Sequence, residues 1–223
     1  MRLLSDSIGR KVVMAITGLL MVLFVVGHLL GNLSIFAGAD GINTYAAKLQ
    51  SLPVVVWANR IVMGVAVLLH LVLSIQITLE NRAANPTAYA VDRRLRATFA
   101  GKNMIWTGLI LGGFIVFHLF HFTVRSFPGV EIVQVQDALG RFDVYAMVSS
   151  AFSRGIVPVL YVVAMLGLFF HLSHGIQSTF QSLGLNNPKT MPGFTTGGTL
   201  LSVVFLVGYG AIPVLFLVGL LAK

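Results

Sequence analysis

The amino-acid sequence predicts an all-α membrane protein with five transmembrane helices in one bundle, and three observations predict it. Of its 223 residues 57% are hydrophobic and only 10% charged, where a soluble domain carries about a quarter charged residues. The mean hydropathy is +0.90. Five apolar stretches each reach the roughly 20 residues that a helix needs to cross the hydrocarbon core, and none shows the two-residue alternation of a barrel strand. The stretches follow one another through short connections, so a single transmembrane domain over 1–223 is expected.

Span one covers 12–36. It is too long for a cleavable signal peptide, and Gly38-Ala39-Asp40-Gly41 then leads the chain back toward the membrane. Residues 41–50 read as a short surface helix. Ser51-Leu52-Pro53 introduces span two, 54–79, with proline suited to a helix start. Asn85-Pro86 follows it. Span three, 104–124, ends before Phe127-Pro128-Gly129. Span four, 156–180, ends before Asn186-Asn187-Pro188, and span five covers 200–221. No internal repeat stands out from this reading.

The chain has no cysteine, which excludes disulfides, thiolate-ligated iron–sulfur clusters and Cys-based zinc sites within it. Its formal charge of +8 is the kind of excess that sets membrane orientation, so no nucleic-acid partner is expected. One side of the predicted bundle holds Arg2, Arg10, Lys11, Arg82, Arg93, Arg94, Arg96, Lys102 and Lys189; the other holds Lys48, Arg60, Arg125, Arg141, Arg154 and Lys223. The positive-inside rule puts the first side, with the N-terminus, in the cytoplasm and Lys223 outside. The basic loop between spans two and three is a surface on which a soluble partner could dock.

All six histidines, His28, His70, His118, His121, His171 and His174, fall in predicted spans. A single one could be a neutral imidazole bonded across helices. Six in spans and none in loops point to function, because ionisable groups within a membrane are costly. Their depths sort them. His28 lies seventeen residues past Lys11 and His118 sixteen past Lys102, so both sit about 25 Å into helices that enter from the cytoplasm. His70 is ten residues before Glu80 and His171 ten before Gln181, about 15 Å from the inner end. Two pairs at two depths, each from two different helices, are what two bis-histidine haems require. Two six-coordinate irons suit electron transfer. His121 and His174 each follow a ligand by three residues, nearly on its face. The depth match favours His171 over His174 clearly and His118 over His121 only slightly. The extra two read as groups near propionates or a quinone, or as packing. Gly18, Gly27, Gly31, Gly64, Gly108, Gly112, Gly113, Gly167 and Gly175 lie in the spans, where small residues admit close helix packing or a flat macrocycle.

The residues also resemble a known family. Ser7-Ile8-Gly9-Arg10-Lys11, Thr17-Gly18 and His28-Leu29-Leu30-Gly31-Asn32 open the match. Tyr45, Leu49, Ser51-Leu52-Pro53, His70, Trp106-Thr107-Gly108, Phe117-His118-Leu119, Phe170-His171-Leu172-Ser173-His174-Gly175 and Gln181-Ser182-Leu183-Gly184-Leu185 continue it in order to about Pro188. This pattern is similar to the b558-type cytochrome b subunit of succinate dehydrogenase and fumarate reductase. The resemblance implies a membrane anchor with two haems b. It also implies partner subunits, a flavoprotein with FAD and an iron–sulfur protein, and a quinone in the lipid, in the menaquinone class. No FAD or iron–sulfur cluster is expected in this chain. By the family's pattern His28 and His118 hold the outer haem, and His70 and His171 the inner one. The expected setting is a bacterial inner membrane.

Candidates for the haem propionates are Arg10, Lys11, Lys102 and Trp106 at the inner haem, with Arg60 and Arg125 at the outer one. Candidates for a quinone site near the outer face are Tyr45, Lys48, Gln50, Arg60 and His121. Membrane anchoring is the competing role for the charged ones. Two other readings compete: a cytochrome b anchor for a different respiratory enzyme, and a non-redox transporter that uses histidines for proton coupling. The transporter is disfavoured because no Asp or Glu lies mid-span; Glu80 is at a span end. Succinate oxidation and fumarate reduction use the same parts.

Overall fold

The computed structural model describes residues 6–84, 98–153 and 155–221. The Asn85-Pro86 turn, Arg2, Arg93, Arg94, Arg96, Arg154 and Lys223 lie outside the described residues. Among the described residues the chain is helical, with two isolated bridges, Phe127 to Val130 and Gln136 to Phe142, in place of any strand.

Helix α1 runs Ser7–Asn32, started by the Asp6 carboxylate, which accepts from the Gly9 amide. A 3-10 turn, Leu33–Ala37, leads into α2, Gly38–Gln50. Helix α3 is Pro53–Ala83, with its proline in the first turn, where the missing N–H costs nothing. The short α4, Phe99–Lys102, precedes α5, Met104–His118, which continues as a π-helical turn, Leu119–Val124. Then come α6, Val144–Phe152, α7, Val157–Ser182, and α8, Met191–Leu217. Five stretches are long and apolar enough to cross a membrane: Ser7–Gln50, Pro53–Ala83, Met104–Val124, Val157–Ser182 and Met191–Leu217. By the length and apolarity of these helices the protein is a multi-pass membrane protein. Leu23, Leu68 and Val207, each more than 60% exposed, face where lipid would be.

Several boundaries differ from those the sequence predicts. The first helix stops at Asn32 rather than 36. The Asn32 amide donates to the His28 carbonyl and the Ser34 hydroxyl to the Gly31 carbonyl, so side chains there satisfy acceptors that a continuing helix would use. The short helix expected over 41–50 begins at Gly38, which at a positive φ of 81° makes the corner. Span five starts at Met191 rather than 200. Pro192 opens it, and Thr195 and Thr199 return their hydroxyls to carbonyls four residues back. Helix α6 has no counterpart in the sequence reading; the Asp143 carboxylate caps it through the Ala146 amide.

Helix α7 is central, packed on α8, α5 and α1, while α1 also packs along α3. Arg10 of α1 bonds Glu80 of α3 at 2.7 Å, which marks one end of the bundle, here the near end. The far end is closed by α2, the connection 125–143 and α6. There Ile35, Ile42, Met147, Phe152, Tyr161 and Phe216 form one buried cluster. Asn43, 1% exposed, ties it: its amide donates to Asp143 and Asp137, and its oxygen accepts the Tyr145 amide. Arg141 completes the tie, donating to Asp137, Asp40 and Thr44.

Candidate functional site

Four histidines meet in two layers inside the bundle. In the near layer His70 of α3 faces His171 of α7, with ring centroids 6.4 Å apart and planes inclined by 67°. In the far layer His28 of α1 faces His118 at the end of α5, 6.0 Å apart at 84°. A metal–imidazole nitrogen bond is about 2 Å and the ring centre lies roughly 1 Å behind that nitrogen, so two imidazoles on opposite sides of one metal have centroids about 6 Å apart. Both pairs have that spacing. The near layer lies level with Gly18 on α1 and Gly108 on α5. His28 and His118 are each ten residues further along, so the layers are about 15 Å apart.

The near-layer rings are held by their Nδ1 atoms. His70 Nδ1 is 3.0 Å from the Met14 carbonyl and 3.4 Å from the Thr17 hydroxyl. A carbonyl can only accept, so Nδ1 carries the hydrogen and Nε2 keeps its lone pair. His171 Nδ1 lies 3.1 Å from the Thr107 hydroxyl, with the Met104 backbone as a second partner. The Thr107 hydroxyl donates to the Asn103 and Met104 carbonyls, so its oxygen accepts from His171. Among the described residues no hydrogen bond engages Nε2 of His28, His70, His118 or His171. In His70, His171 and His118 one nitrogen is anchored and the other free, the arrangement of a metal-bound histidine; the His28 ring makes no hydrogen bond among the described residues. Glycine makes the approach possible. A Cβ on Gly18 would come within 3.2 Å of the His70 ring, and one on Gly108 within 3.3 Å of His171.

These anchors disclose an internal repeat, which corrects the expectation that there is none. Met14, Thr17, Gly18, Leu19, Phe24, Val26, His28 and Leu29 of α1 recur 90 residues later as Met104, Thr107, Gly108, Leu109, Phe114, Val116, His118 and Leu119. His70, Leu71, Ile75, Gln76 and Thr78 of α3 recur 101 residues later as His171, Leu172, Ile176, Gln177 and Thr179. The contacts repeat too: Phe24 lies 5.3 Å from His28 and Phe114 5.7 Å from His118. The pair α1–α3 and the pair α5–α7 are thus two copies of one device.

The far layer breaks the symmetry. His121 replaces Gly31 at the repeat position and sits in the π turn that follows His118. It is wholly buried, stacked on Phe122 and Phe117, and its Nε2 has no partner among the described residues. Its Nδ1 and that of His118 lie 3.0 and 3.2 Å from one hydroxyl, that of Tyr161 on α7.

The remaining candidates divide. His174 lies against Gly101 of α4, and its Nδ1 accepts from the Gln177 amide, whose oxygen in turn accepts from the Thr195 hydroxyl of α8; it lies outside the layers. Arg10 is turned into the bundle's near end, bonded to Glu80 and with a buried Nε that has no partner among the described residues. It is the propionate candidate whose geometry fits an additional acceptor. Lys11 and Lys102 are exposed. Trp106 is 60% exposed, because its neighbour Thr107 faces His171 and the next residue on a helix points about 100° away. Arg125 closes the π turn in a left-handed conformation and stacks on Phe142; Arg60 stacks on Trp57 at the surface. Lys48 and Gln50 are exposed on α2. Tyr45 alone of the α2 candidates reaches inward, its hydroxyl filling the place a side chain at Gly31 would take.

Among the described residues no cluster of three or more His, Asp or Glu side chains could hold a bare metal ion. The two-histidine layers instead suit a cofactor that brings the other ligands itself, and a porphyrin brings four. Comparison with family models, with curated proteins and with solved structures finds no match for this chain.

Proposed function

We propose that this protein is a di-haem cytochrome b that anchors a succinate:quinone oxidoreductase in the bacterial inner membrane. It would serve succinate oxidation or fumarate reduction, carrying electrons between an iron–sulfur subunit and a quinone. The observation that carries the reading is the pair of facing imidazole couples, 6.4 and 6.0 Å between centroids, with Nδ1 anchored in His70, His171 and His118. His70 and His171 would hold one haem b and His28 and His118 the other. When bound, the haems supply reversible one-electron transfer at two depths.

The chain's own residues supply the rest. Met14, Thr17, Met104 and Thr107 fix ring orientation and tautomer in the near layer. Gly18 and Gly108 bring the helix backbones against the rings. The apolar bundle excludes water from both layers, and two protein ligands per site leave no position for oxygen. Arg10 would meet a propionate at the near end. The assignment to succinate dehydrogenase or fumarate reductase, with a flavoprotein and an iron–sulfur partner, rests on the resemblance in the residues from Ser7 to Pro188.

The test is a reduced-minus-oxidised spectrum and a haem-to-protein ratio on the full chain purified from membranes. Two six-coordinate b-type haems per chain are expected, with flavin and iron–sulfur proteins co-purifying. A preparation that is colourless and stays so on adding haemin defeats the cytochrome reading. A red preparation whose partners carry no flavin defeats the succinate assignment alone.

A further inference from the structure

We infer that Tyr161 is a positioning residue for the far-layer haem, coupling the tautomers of His118 and His121 so that ligation through His118 Nε2 leaves His121 protonated at Nε2 and not a ligand. The inference rests on the two-haem reading and adds to it a residue with no counterpart in the near layer. At the repeat position of Tyr161, α3 carries Arg60, which is exposed and stacked on Trp57.

The Tyr161 residue is buried at 8% exposure, and its hydroxyl stands between two Nδ1 atoms. A hydroxyl has one hydrogen to give and can accept from the other side. Two directions are therefore open for the three-group chain. If His118 donates, the Tyr161 oxygen accepts and its hydrogen goes to His121 Nδ1. His118 then presents a lone pair at Nε2, and His121 is left with an Nε2–H. If the chain runs the other way, His118 carries its hydrogen on Nε2 and cannot bind a metal. His118 is the ring that faces His28 across 6.0 Å, so ligation there fixes the first direction. His121 is then an N–H donor at Nε2 and is not a ligand in that state. That donor is buried without a partner among the described residues, between the stacked rings of Phe117 and Phe122. The π turn matters here: it widens the helix after His118 and allows both rings to meet one hydroxyl.

An Nδ1–H that donates to an oxygen makes the imidazole a more basic ligand and favours the ferric state. Tyr161→Phe removes that acceptor. The expected result is an upward shift in the midpoint potential of the haem that His28→Ala abolishes, with the haem that His70→Ala abolishes unmoved. The unmoved haem in the same sample reports that the bundle has assembled. If Tyr161→Phe does not assemble, His121→Leu keeps the acceptor but removes the outlet for its hydrogen, and gives a smaller upward shift of the same haem. A wild type with no haem overturns the two-haem reading and this inference with it. A wild type with two haems, whose far-layer potential is unchanged in whichever of the two variants assembles, overturns the role of Tyr161 alone.

Discussion

The Thr107 hydroxyl lies 3.1 Å from His171 Nδ1, and its partner by repeat, Thr17, lies 3.4 Å from His70. Each threonine is followed by the glycine that lets the ring approach. The near layer is therefore built twice from one pattern, and equivalent changes should have equivalent effects. Gly18→Ala and Gly108→Ala push a Cβ to 3.2 and 3.3 Å from their rings, so each should weaken retention of the same haem, about tenfold or more. Gly18→Leu and Gly108→Leu should abolish it. Gly197→Ala on α8, where nothing lies within 4 Å, should leave the spectrum alone. Spectra of purified variants decide, and an intact near-layer haem in Gly18→Leu would refute the cradle.

The pairing makes a second prediction. His70→Ala and His171→Ala should remove one spectral component, and His28→Ala and His118→Ala the other. The ring planes, 67° apart in one layer and 84° in the other, add an independent readout. Near-perpendicular axial imidazoles give strongly anisotropic low-spin ferric EPR signals, and the far layer should be the more anisotropic. Loss of one component in both His28→Ala and His70→Ala would contradict the layers.

Much of this was legible in the sequence, for a physical reason. Apolar length is a local property, so the five crossings could be counted directly, and helix rise turned residue number into depth. The anchors were not legible. His70 is held chiefly by the Met14 carbonyl, a group every residue possesses. The repeat was hidden because its halves stand 90 residues apart on α1 and α5 but 101 on α3 and α7, and its few identities sit in an apolar background. Tyr161 gave no signal: only the fold brings it from α7 between His118 and His121. Helix α6 escaped because nine residues are too few to show a clear period.

Arg10 and Glu80 pair at 2.7 Å with side-chain exposures of 12% and 44%. With one partner this accessible to water, the pair is worth about 0.5–1 kcal/mol. A double-mutant cycle of Arg10→Met and Glu80→Ala, read by thermal unfolding, should return a coupling of that order. Arg10→Met should also shift the near-layer haem potential while Glu80→Ala moves it less, because Arg10 has a buried Nε with no partner among the described residues, open to a further acceptor. Equal shifts from both variants would remove Arg10 as a propionate partner.

The far-end tie should respond to acid in one direction. Burial works to raise the pKa of Asp137, but the Arg141 amide and guanidinium and the Leu139 amide outweigh it and hold the carboxyl below the usual range. The hydrogen bonds to Asp40 and Asp137 raise Arg141 in turn. A carboxylate whose folded pKa is depressed contributes its stability above the unfolded value and loses it as pH falls through the folded one. The tie between α2 and the 137–143 loop should therefore hold throughout neutral pH and loosen only below the ordinary carboxylate range, about 4. Arg141→Ala should loosen it already at neutral pH, because it frees Asp40, Thr44 and Asp137 together. Hydrogen exchange of the backbone in α2 and residues 137–146 measures both. Lower protection there, relative to the intrinsic exchange rate at the same pH and with α7 unchanged, is the expected outcome for Arg141→Ala at neutral pH and for the wild type in acid. Unchanged protection in Arg141→Ala would leave Asn43, through Asp143 and the Tyr145 amide, as the contact that closes the far end.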